Sequence, residues 1–201
     1  MIIVMVMVMV MVRNVICFIG LVAILPLLGV AAILIFIEDG SPIFFKQKRI
    51  GLHKKKFTIY KIRTLKKNAP QVGTHEIEEH HKLNMGRAIR ALKLDEFPQL
   101  FNVIKGDLNL IGPRPGLESQ ATLESARMVQ DVFNTKPGIT GLGQVLGYDM
   151  SAPEKLAEVD KLYINNKSIK LNLIIFLGTF FSFPRTYLAL IMKIPNLKKD
   201  K

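Results

Sequence analysis

The sequence predicts an α+β chain that is mainly helical, with an apolar anchor at its N-terminus and one domain of ordinary size behind it. Apart from Arg13 and Asn14, no polar residue precedes Glu38, and this predicts the anchor. Two short runs with strand character flank a basic turn, which predicts a small β-hairpin. Several later segments have Pro in a first turn or Gly at an end, which are helix signals.

The apolar segment predicts a membrane helix. Val and Met alternate through residues 4–12, and the apolar run then continues to Ile37. A straight helix over residues 14–37 would be about 36 Å long and could cross the roughly 30 Å hydrocarbon core of a bilayer. Pro26 lies near its middle. A spanning helix would therefore be kinked there, whereas a helix broken at Pro26 would have two arms of about 17 Å each.

The charge of the chain also favours an association with a membrane. A net charge of +12 fits either nucleic acid or an anionic membrane, and the apolar N-terminus favours membrane lipids, with no nucleic acid as partner. Residues 40–75 hold ten Lys or Arg and no acid, which is typical of a cytoplasmic flank. Cys17 is the only cysteine, so no internal disulfide and no cysteine zinc site are expected.

The hairpin is predicted from residues 43–47 and 57–62, with residues 51–56 as the turn. The lysines of the turn are expected to be a solvated face. The polar run at residues 75–81 resembles a metal cluster, but the residue four positions after His75 is Glu79, so the His-Glu-x-x-His zinc pattern is missing. A polar loop or helix start is the better interpretation.

The C-terminal third predicts one structural helix and two apolar ones. Ser151 to Glu154 has the form of a capping box with Pro in the first turn, and the helix it opens carries Leu156, Val159, Leu162 and Tyr163 on one face. Residues 171–183 are apolar but too few to span a bilayer. With residues 187–194 and the basic end at Lys198, Lys199 and Lys201, they predict interfacial amphipathic helices. A second spanning segment bent at Pro184 remains the alternative.

The centre of the chain carries the chemistry. Residues 97–104 predict a short helix, because Pro98 is tolerated in a first turn and Gly106 is a natural stop. Asp95 and Glu96 then lie at a helix N-terminus, which favours ionised carboxylates and also binds phosphate. Nearby cations (Arg87, Arg90, Lys93 and Arg114) or a Mg²⁺ held by a carboxylate and substrate phosphates would balance the charge. On pattern alone, acids that only cap a helix explain the same residues.

Four glycines follow at positions 138, 141, 143 and 147. They lack the Gly-Lys-Ser/Thr ending of a P-loop and the Gly-x-Gly-x-x-Gly spacing. Turns with positive φ are the simplest interpretation.

Three ordered blocks resemble the bacterial sugar transferases, the monotopic phosphoglycosyl transferases that begin glycan assembly on polyprenol phosphate. The first block reads Lys-Leu-Asp-Glu-Phe-Pro-Gln-Leu-Phe-Asn-Val at residues 93–103, then Lys-Gly-Asp at 105–107 and Gly-Pro-Arg-Pro at 112–115. The second covers residues 42–65. Its matching positions are Phe44, Phe45, Gln47, Arg49, Gly51, Phe57, Tyr60, Lys61, Arg63 and Thr64. The third reads Lys-Pro-Gly-Ile-Thr-Gly-Leu-Gly-Gln-Val at residues 136–145.

The resemblance implies an architecture. Residues 1–39 would form a re-entrant helix-break-helix anchor at Pro26, residues 40–183 a catalytic domain, and residues 184–201 an interfacial tail. The catalytic domain would face the cytoplasm at the bacterial inner membrane. The family commonly has Ser before this proline, where this chain has Leu25.

The resemblance also implies a reaction. Asp95 would attack the sugar-linked phosphate of a UDP-sugar, UMP would leave, and polyprenyl phosphate would take the phosphosugar from Asp95. Glu96 would act as base or positioning acid, and Mg²⁺ would be bound through Asp95. The residues expected at the substrate and its phosphates are Lys61, Arg63, Arg90, Pro113, Arg114, Pro115, Gly141, Gln144 and Tyr148. Relatives often carry Arg where this chain has Asp149, so Tyr148 is expected to stack on the base.

Two other functions explain part of the sequence. A non-catalytic basic module that binds anionic lipid or nucleic acid accounts for the charge and the anchor, but not for the acidic pair or for Arg114 between two prolines. A membrane phosphatase would use Asp95 with water in place of the polyprenyl phosphate. The sequence does not encode the identity of the sugar or the oligomeric state.

Overall fold

The computed structural model describes residues 2–70 and 78–197. Its Cα atoms cluster into two compact units. The first contains the residues up to Gln47 and those from Thr58 to Gly106; the second contains Lys48–Phe57 and the residues from Asp107 onward. The predicted mainly helical fold class is confirmed, with small strands between the helices.

Helix α1 runs from Ile2 to Asp39 with Pro26 inside it. The predicted helix break at Pro26 is not found, because the helix continues through it; a proline removes one backbone hydrogen bond, at about 3 kcal/mol, and the rest of the ladder persists. Cys17, Ala31 and Ile35 are buried within the first unit, while most of the apolar side chains of the helix are exposed. By length and composition, Met7–Asp39 is long and apolar enough to cross a membrane.

A β-hairpin follows α1. Strands β1 (Phe44–Ile50) and β2 (Lys56–Ile62) pair around a 3-10 turn at Leu52–Lys54. The predicted hairpin is confirmed, although β1 extends three residues further than expected. The open end of the hairpin belongs to the first unit and its turn to the second.

The first unit ends in three short helical segments. Helix α2 spans Asn84–Ala91, a 3-10 turn spans Leu94–Glu96, and helix α3 spans Gln99–Lys105. Gly106 ends α3 with φ +91°, as predicted from its position. The core of this unit consists of apolar side chains from α1, β2, α2 and the 3-10 turn. They are Leu28, Ala31, Ile35, Ile62, Leu83, Ile89 and Leu94.

The second unit opens with a pair of strands that the sequence did not predict. Strands β3 (Asn109–Ile111) and β4 (Gly138–Thr140) are parallel, with Asn109 opposite Gly138 and Ile111 opposite Thr140. Of the four glycines expected in positive-φ turns, only Gly147 has a positive φ. Gly138 and Gly141 are needed for close packing instead, because a Cβ on either would lie 2.1 Å from a backbone atom of Gly112.

Five helices complete the second unit, and their side chains form its core around Val145, Tyr163 and Ile175. They are α4 (Ala121–Val129), α5 (Leu142–Leu146), α6 (Pro153–Asn165), α7 (Ile169–Phe180) and α8 (Ser182–Met192). Pro153 begins α6 as predicted, but the capping box does not form, since the Ser151 hydroxyl lies 2.6 Å from Oδ1 of Asp149. Pro184 lies in the first turn of α8 and does not interrupt a longer helix.

Candidate active site

The acidic pair lies on the 3-10 turn between α2 and α3. Lys93 has φ +60° and ends the preceding segment in a left-handed conformation, which turns the chain into Leu94–Glu96. The turn buries Asp95, whose side chain is 8% exposed. Glu96 beside it places Oε1 3.4 Å from Nζ of Lys61 on β2. Two adjacent acids therefore have different surroundings: one is buried and the other is paired with a lysine.

The pKa of the Asp95 carboxyl shifts in the direction opposite to the one expected from the sequence. Burial raises the pKa of the Asp95 carboxyl, and the neighbouring Glu96 raises it further. Lys61, Arg90 and Lys93 lower that pKa, with Lys61 the largest of the three, but they do not outweigh burial. The sequence predicted a carboxylate kept ionised by a helix N-terminus. The structure has a desolvated carboxyl whose charged form is supported by three cations.

The part of β2 that precedes Lys61 is bonded to Asn102, a fully buried residue of α3. The Asn102 amide nitrogen donates to the Thr58 carbonyl at 2.7 Å, and its oxygen accepts from the Tyr60 backbone N–H at 3.3 Å. One side chain thus bonds the backbone of β2 on both sides of Ile59. These two bonds tie the backbone directly before Lys61 to α3, the helix that the acidic turn leads into.

Arg90 is positioned by a close approach of α2 to the end of β2. A Cβ on Gly86 would lie 2.4 Å from the Thr64 carbonyl oxygen, so only glycine allows this distance. One turn later, Nε of Arg90 donates to the Thr64 hydroxyl at 2.7 Å. The rest of the guanidinium then adds positive charge beside Asp95.

Arg63 has a structural environment. It is 6% exposed, forms an ion pair with Asp39, and donates to the carbonyls of Pro42 at 2.6 Å and Gly40 at 2.5 Å. These bonds tie the end of α1 to β2. They favour a structural role for Arg63 over the predicted phosphate contact.

In the second unit, the loop around Arg114 is fixed through its own backbone. Four consecutive carbonyls, from Pro113 to Gly116, each accept a hydrogen bond, and the donors lie on β1, α4 and β4. The donors are Gly138 N at 2.9 Å, Arg127 Nη1 at 2.7 Å, Arg49 Nη1 at 3.2 Å and Ile50 N at 3.1 Å. Pro113 and Pro115 are buried, and from Gly112 to Leu117 only Arg114 is not. This loop presents one side chain on a rigid backbone.

The arginine that donates to the Arg114 carbonyl also forms a buried ion pair between α4 and α6. Nε and Nη2 of Arg127 donate to the same oxygen of Asp160, at 3.0 and 2.5 Å, and both side chains are less than 5% exposed. The remaining Nη1 of Arg127 reaches the Arg114 carbonyl. Arg127 therefore links the helical core of the unit to the loop.

The other site residues predicted in this unit are Gly141, Gln144 and Tyr148. Gly141 and Tyr148 have packing roles, and Gln144 has a buried oxygen without a hydrogen bond in the described residues. Gly141 is required by the close approach to Gly112. Tyr148 is 5% exposed and packs in the hydrophobic core, so its ring is not available to stack on a nucleotide base. Oε1 of Gln144 is buried and has no hydrogen-bond partner among residues 2–70 and 78–197.

Comparison with known families shows which family the chain belongs to. The family model described as bacterial sugar transferase matches residues 5–185. The chain belongs to the bacterial sugar transferases. The resemblance inferred from the three sequence blocks is confirmed by this match.

Some relatives of this sugar transferase are named for their substrates. It is 44% identical over 137 residues to an uncharacterized sugar transferase of Bacillus subtilis, covering 68% of this chain and 67% of the relative. It is 35% identical over 161 residues to the UDP-N-acetylgalactosamine-undecaprenyl-phosphate N-acetylgalactosaminephosphotransferase of Aeromonas hydrophila, covering 77% and 38%. It is 39% identical over 126 residues to the UDP-glucose:undecaprenyl-phosphate glucose-1-phosphate transferase of Caulobacter vibrioides, covering 61% and 47%. The chain thus spans less than half the length of these last two relatives.

The transferase family and the long apolar helix together indicate a membrane-associated protein. The predicted domain boundaries at residues 39 and 183 remain predictions, as does the side of the membrane that the domain faces.

A dedicated metal centre is not found in the described part of this transferase. No group of three or more His, Cys, Asp or Glu side chains converges there. Mg²⁺, however, is usually bound by one or two carboxylates together with substrate phosphates. Asp95 and Glu96 supply two carboxylates of that kind, so these residues fit the ion. Of the polar run at residues 75–81, the first three residues lie outside the described ranges, and so do Lys198, Lys199 and Lys201.

Sequence reasoning assigned no role to Asn102 or to the Arg127–Asp160 pair. Asn102 had a usable signal, since it is the one polar side chain among Leu100, Phe101, Val103 and Ile104 in the middle of the predicted short helix. Arg127 and Asp160 lie 33 residues apart, and nothing in the local sequence of either indicates its partner.

Proposed function

We propose that this sugar transferase moves a sugar-1-phosphate from a UDP-sugar to polyprenyl (undecaprenyl) phosphate and releases UMP, as the first membrane step in the synthesis of a bacterial glycan. The observation that carries the proposal is the buried Asp95 carboxyl with Lys61, Arg90 and Lys93 acting on it. A carboxylate nucleophile that meets a diphosphate needs this arrangement, because the cations offset the repulsion between the anions. The activities for which the relatives from Aeromonas and Caulobacter are named support the same donor and acceptor classes.

The reaction proceeds in two displacements at one phosphorus. In the first, an Asp95 carboxylate oxygen bonds to the sugar-linked phosphorus, and the bond from that phosphorus to the UMP oxygen breaks, so UMP leaves with the electron pair. In the second, a phosphate oxygen of the polyprenyl phosphate bonds to the same phosphorus and the Asp95–phosphorus bond breaks. The carboxylate is regenerated, and the product is a polyprenyl diphosphate sugar. Two displacements of this kind are ordinary covalent catalysis.

Glu96 acts through Lys61. Because Glu96 binds the lysine at 3.4 Å, it keeps the ammonium group beside the acidic turn, where that charge supports the ionised Asp95. Arg90, anchored by Thr64 through one nitrogen, supplies donors for a substrate phosphate. Mg²⁺ bound through Asp95 would supply further positive charge against the diphosphate.

The acceptor lies in a membrane, and the chain has the surfaces to reach it. Helix α1 provides an apolar anchor. Phe176, Phe180, Phe183 and Leu190 on α7 and α8 are between 46% and 81% exposed, on helices too short to span a bilayer. Apolar side chains exposed in this way suit helices that lie in the interface, with the catalytic domain on the cytoplasmic side, where nucleotide sugars are made.

The test is UMP release from a panel of UDP-sugars by the purified full-length protein in nanodiscs, with and without undecaprenyl phosphate and Mg²⁺. Wild type should release UMP in proportion to added acceptor, and Asp95→Asn should lose this activity by at least about a thousandfold. Asp131→Asn is the matched control, since that acid is exposed and lies on another element.

Two results would contradict the proposal. Release of free phosphosugar without acceptor would identify a phosphatase. Acceptor-dependent UMP release that is unchanged in Asp95→Asn would remove the nucleophile from the account.

A further inference from the structure

We propose that the aromatic rings of Tyr60 and Phe101 form the surface that receives the isoprenoid chain of the lipid acceptor. The inference deepens the proposed function, on which it rests for the nature of the acceptor. It assigns these two rings to the acceptor chain and not to the acyl chains of the surrounding bilayer.

The first step is the packing of α3 against the apolar helix α1. A Cβ on Gly20 would lie 3.5 Å from Cδ1 of Leu100, and Nη2 of Arg13 donates to the Val103 carbonyl at 3.4 Å. The earlier residue of α1 meets the later residue of α3, so the two helices run in opposite directions along each other. Both helices belong to the first unit. The helix that follows the acidic turn therefore lies directly on the anchor.

The second step is the surroundings of the exposed side of α3. Close to the contact at Gly20, Ile16 and Ile19 of α1 are 59% and 60% exposed. Exposed apolar side chains on a helix of this length and composition suit hydrocarbon and not water. Because α3 packs on this part of the anchor, a side chain exposed on α3 lies beside the same apolar phase. Phe101 is such a side chain, since it is 51% exposed.

The third step is the pairing of Phe101 with Tyr60 on β2. Their ring centroids lie 5.7 Å apart, and the rings meet edge to face at 73°. The residue after Phe101 is Asn102, whose side-chain oxygen accepts from the Tyr60 backbone N–H at 3.3 Å. Strand and helix are thus bonded at the position of the two rings. An aromatic pair on such a backbone offers a rigid apolar surface, and little conformational entropy is lost when a ligand covers it.

The fourth step is the short distance along the chain from the two rings to the acidic turn. Tyr60 directly precedes Lys61, which binds Glu96 at 3.4 Å. Phe101 follows Asp95 by six residues, through the 3-10 turn and into α3. Six helical residues extend about 9 Å. A lipid whose phosphate is at Asp95 therefore reaches the two rings with the first part of its chain.

A contact with bulk phospholipid is the competing explanation for an exposed phenylalanine on α3. A bulk contact takes any acyl chain. A surface beside the acidic turn selects the lipid whose phosphate is bound at the nucleophile. Under the proposal, binding of undecaprenyl phosphate depends on the two rings, whereas binding of phosphatidylglycerol does not.

The experiment counts the lipids bound to the purified full-length protein by native mass spectrometry in detergent. The protein is titrated without donor, either with undecaprenyl phosphate or with phosphatidylglycerol. Phe101→Ala and Tyr60→Ala should each weaken binding of undecaprenyl phosphate about tenfold, as expected when an aromatic side chain is removed from the centre of a contact. Binding of phosphatidylglycerol should not change. Phe101→Leu and Tyr60→Phe keep an apolar side chain of similar size and should retain most of the affinity.

Phe18→Ala is the matched control. Phe18 is a phenylalanine of the anchor that is 61% exposed. It follows the buried Cys17, and adjacent helical positions differ by about 100° in direction, so it faces away from the packed side of α1. This variant should bind both lipids like wild type.

Steady-state kinetics in nanodiscs gives a second readout. At saturating donor, Phe101→Ala should raise KM for undecaprenyl phosphate about tenfold, because the acceptor loses a contact. KM for the UDP-sugar should stay at the wild-type value, because the donor reacts with Asp95 before the acceptor does. A substitution that only disturbed the acidic turn would change the donor step as well.

Three results overturn the proposal. The first is wild-type affinity of both alanine variants for undecaprenyl phosphate. The second is an equal loss of affinity for phosphatidylglycerol, which would assign the rings to bulk lipid. The third is a loss in Phe18→Ala as large as that in Phe101→Ala.

Lipid binding does not depend on turnover, so this inference fails separately from the proposed function. Asp95→Asn should lose UMP release and keep the binding that depends on the two rings. If wild type binds undecaprenyl phosphate through the rings but releases no UMP from any donor, the transferase reaction is wrong and the lipid surface stands. If UMP release depends on Asp95 and both alanine variants bind the lipid like wild type, only the lipid surface is wrong.

Discussion

The acidic turn at Leu94–Glu96 and the loop from Gly112 to Leu117 differ in how each holds its charged side chain. The turn buries a negative charge at Asp95 and surrounds it with three cations from its own unit. The loop carries Arg114 on a backbone whose carbonyls accept hydrogen bonds from Arg49, Ile50, Arg127 and Gly138. In the first region, charge is compensated within the protein. In the second, hydrogen bonds to main-chain carbonyls fix the backbone that carries a cation.

This difference indicates which region reacts and which binds. A nucleophile must keep its charge available in the resting enzyme, so its counter-charges belong to the protein. A phosphate site is served by a cation on an ordered backbone, because less conformational entropy is lost when the ligand binds. The comparison predicts that substitutions in the loop unit act through its rigidity and its affinity for anions, and that substitutions around the turn act through the ionisation of Asp95.

The largest effect on stability is expected at the buried pair that supports the loop. Asp160→Asn leaves the Arg127 guanidinium charged and without its carboxylate, which should lower the free energy of unfolding by about 3 kcal/mol or more. Thermal unfolding of the solubilised protein measures this. Glu158→Gln is the control, because Glu158 pairs with Lys155 on the surface of the same helix, and it should cause no measurable change. Equal effects of the two substitutions would mean that the buried pair does not support this unit.

An intermediate effect is expected where the two strands of the second unit approach each other. Gly138→Ala places a Cβ 2.1 Å from the Gly112 nitrogen, and the strands must separate, at a cost of about 1–3 kcal/mol. The loop should loosen with them, so affinity for UDP should also fall. Gly116→Ala lies in the same loop, where a Cβ would meet its nearest neighbours at 3.6 Å. It should retain both stability and affinity, and a marked loss there would contradict the assignment of rigidity to Gly138.

The smallest effect is a shift in pH dependence at the acidic turn. Asp95 must be ionised to attack, and burial raises its pKa above the ordinary value. The acid limb of kcat/KM should therefore lie above the range of an exposed aspartate, about pH 3.9. Lys61→Met removes the largest influence that lowers this pKa and should move the limb to higher pH. Glu96→Gln removes a negative charge that raises it and keeps a side-chain oxygen that can still accept from Lys61, so it should move the limb to lower pH.

The deciding result is that Lys61→Met and Glu96→Gln shift the acid limb of kcat/KM in opposite directions. Lys61→Arg keeps the charge and is the matched control, so its limb should stay close to that of wild type. If Lys61→Met and Glu96→Gln shift the limb in the same direction, the limb does not report the ionisation of Asp95.

The elements that are local in sequence could be predicted, and those that depend on distant contacts could not. The hairpin and helix α3 follow from alternation, Pro98 and Gly106, and the structure contains both. The parallel pair of β3 and β4 joins two three-residue strands that are 27 positions apart. No pattern within either strand indicates that pairing. Glycine is suited both to a turn and to a close approach of two backbone segments, so the sequence does not show which of the two requires Gly138.

The candidate site divides in the same way. Asp95, Glu96 and Arg114 could be singled out because their motif is contiguous. The pKa of Asp95 could not be predicted, since it depends on how deeply the 3-10 turn is buried and on Lys61 from another element. Tyr148 was expected at the nucleotide, but it packs in the hydrophobic core. Arg63 was expected at a phosphate, but it forms an ion pair with Asp39.

The central claim is that Asp95 carries the phosphosugar, and intact-protein mass spectrometry tests it most directly. The protein would be mixed with the UDP-sugar that gives the fastest UMP release, without acceptor, and quenched within one turnover. The account predicts a mass gain of one phosphosugar on wild type, mapped to Asp95 by peptide sequencing and discharged when undecaprenyl phosphate is added. Asp95→Asn should show no gain. A phosphosugar on another residue, or UMP release that requires the acceptor and leaves the mass of the protein unchanged throughout, would contradict it.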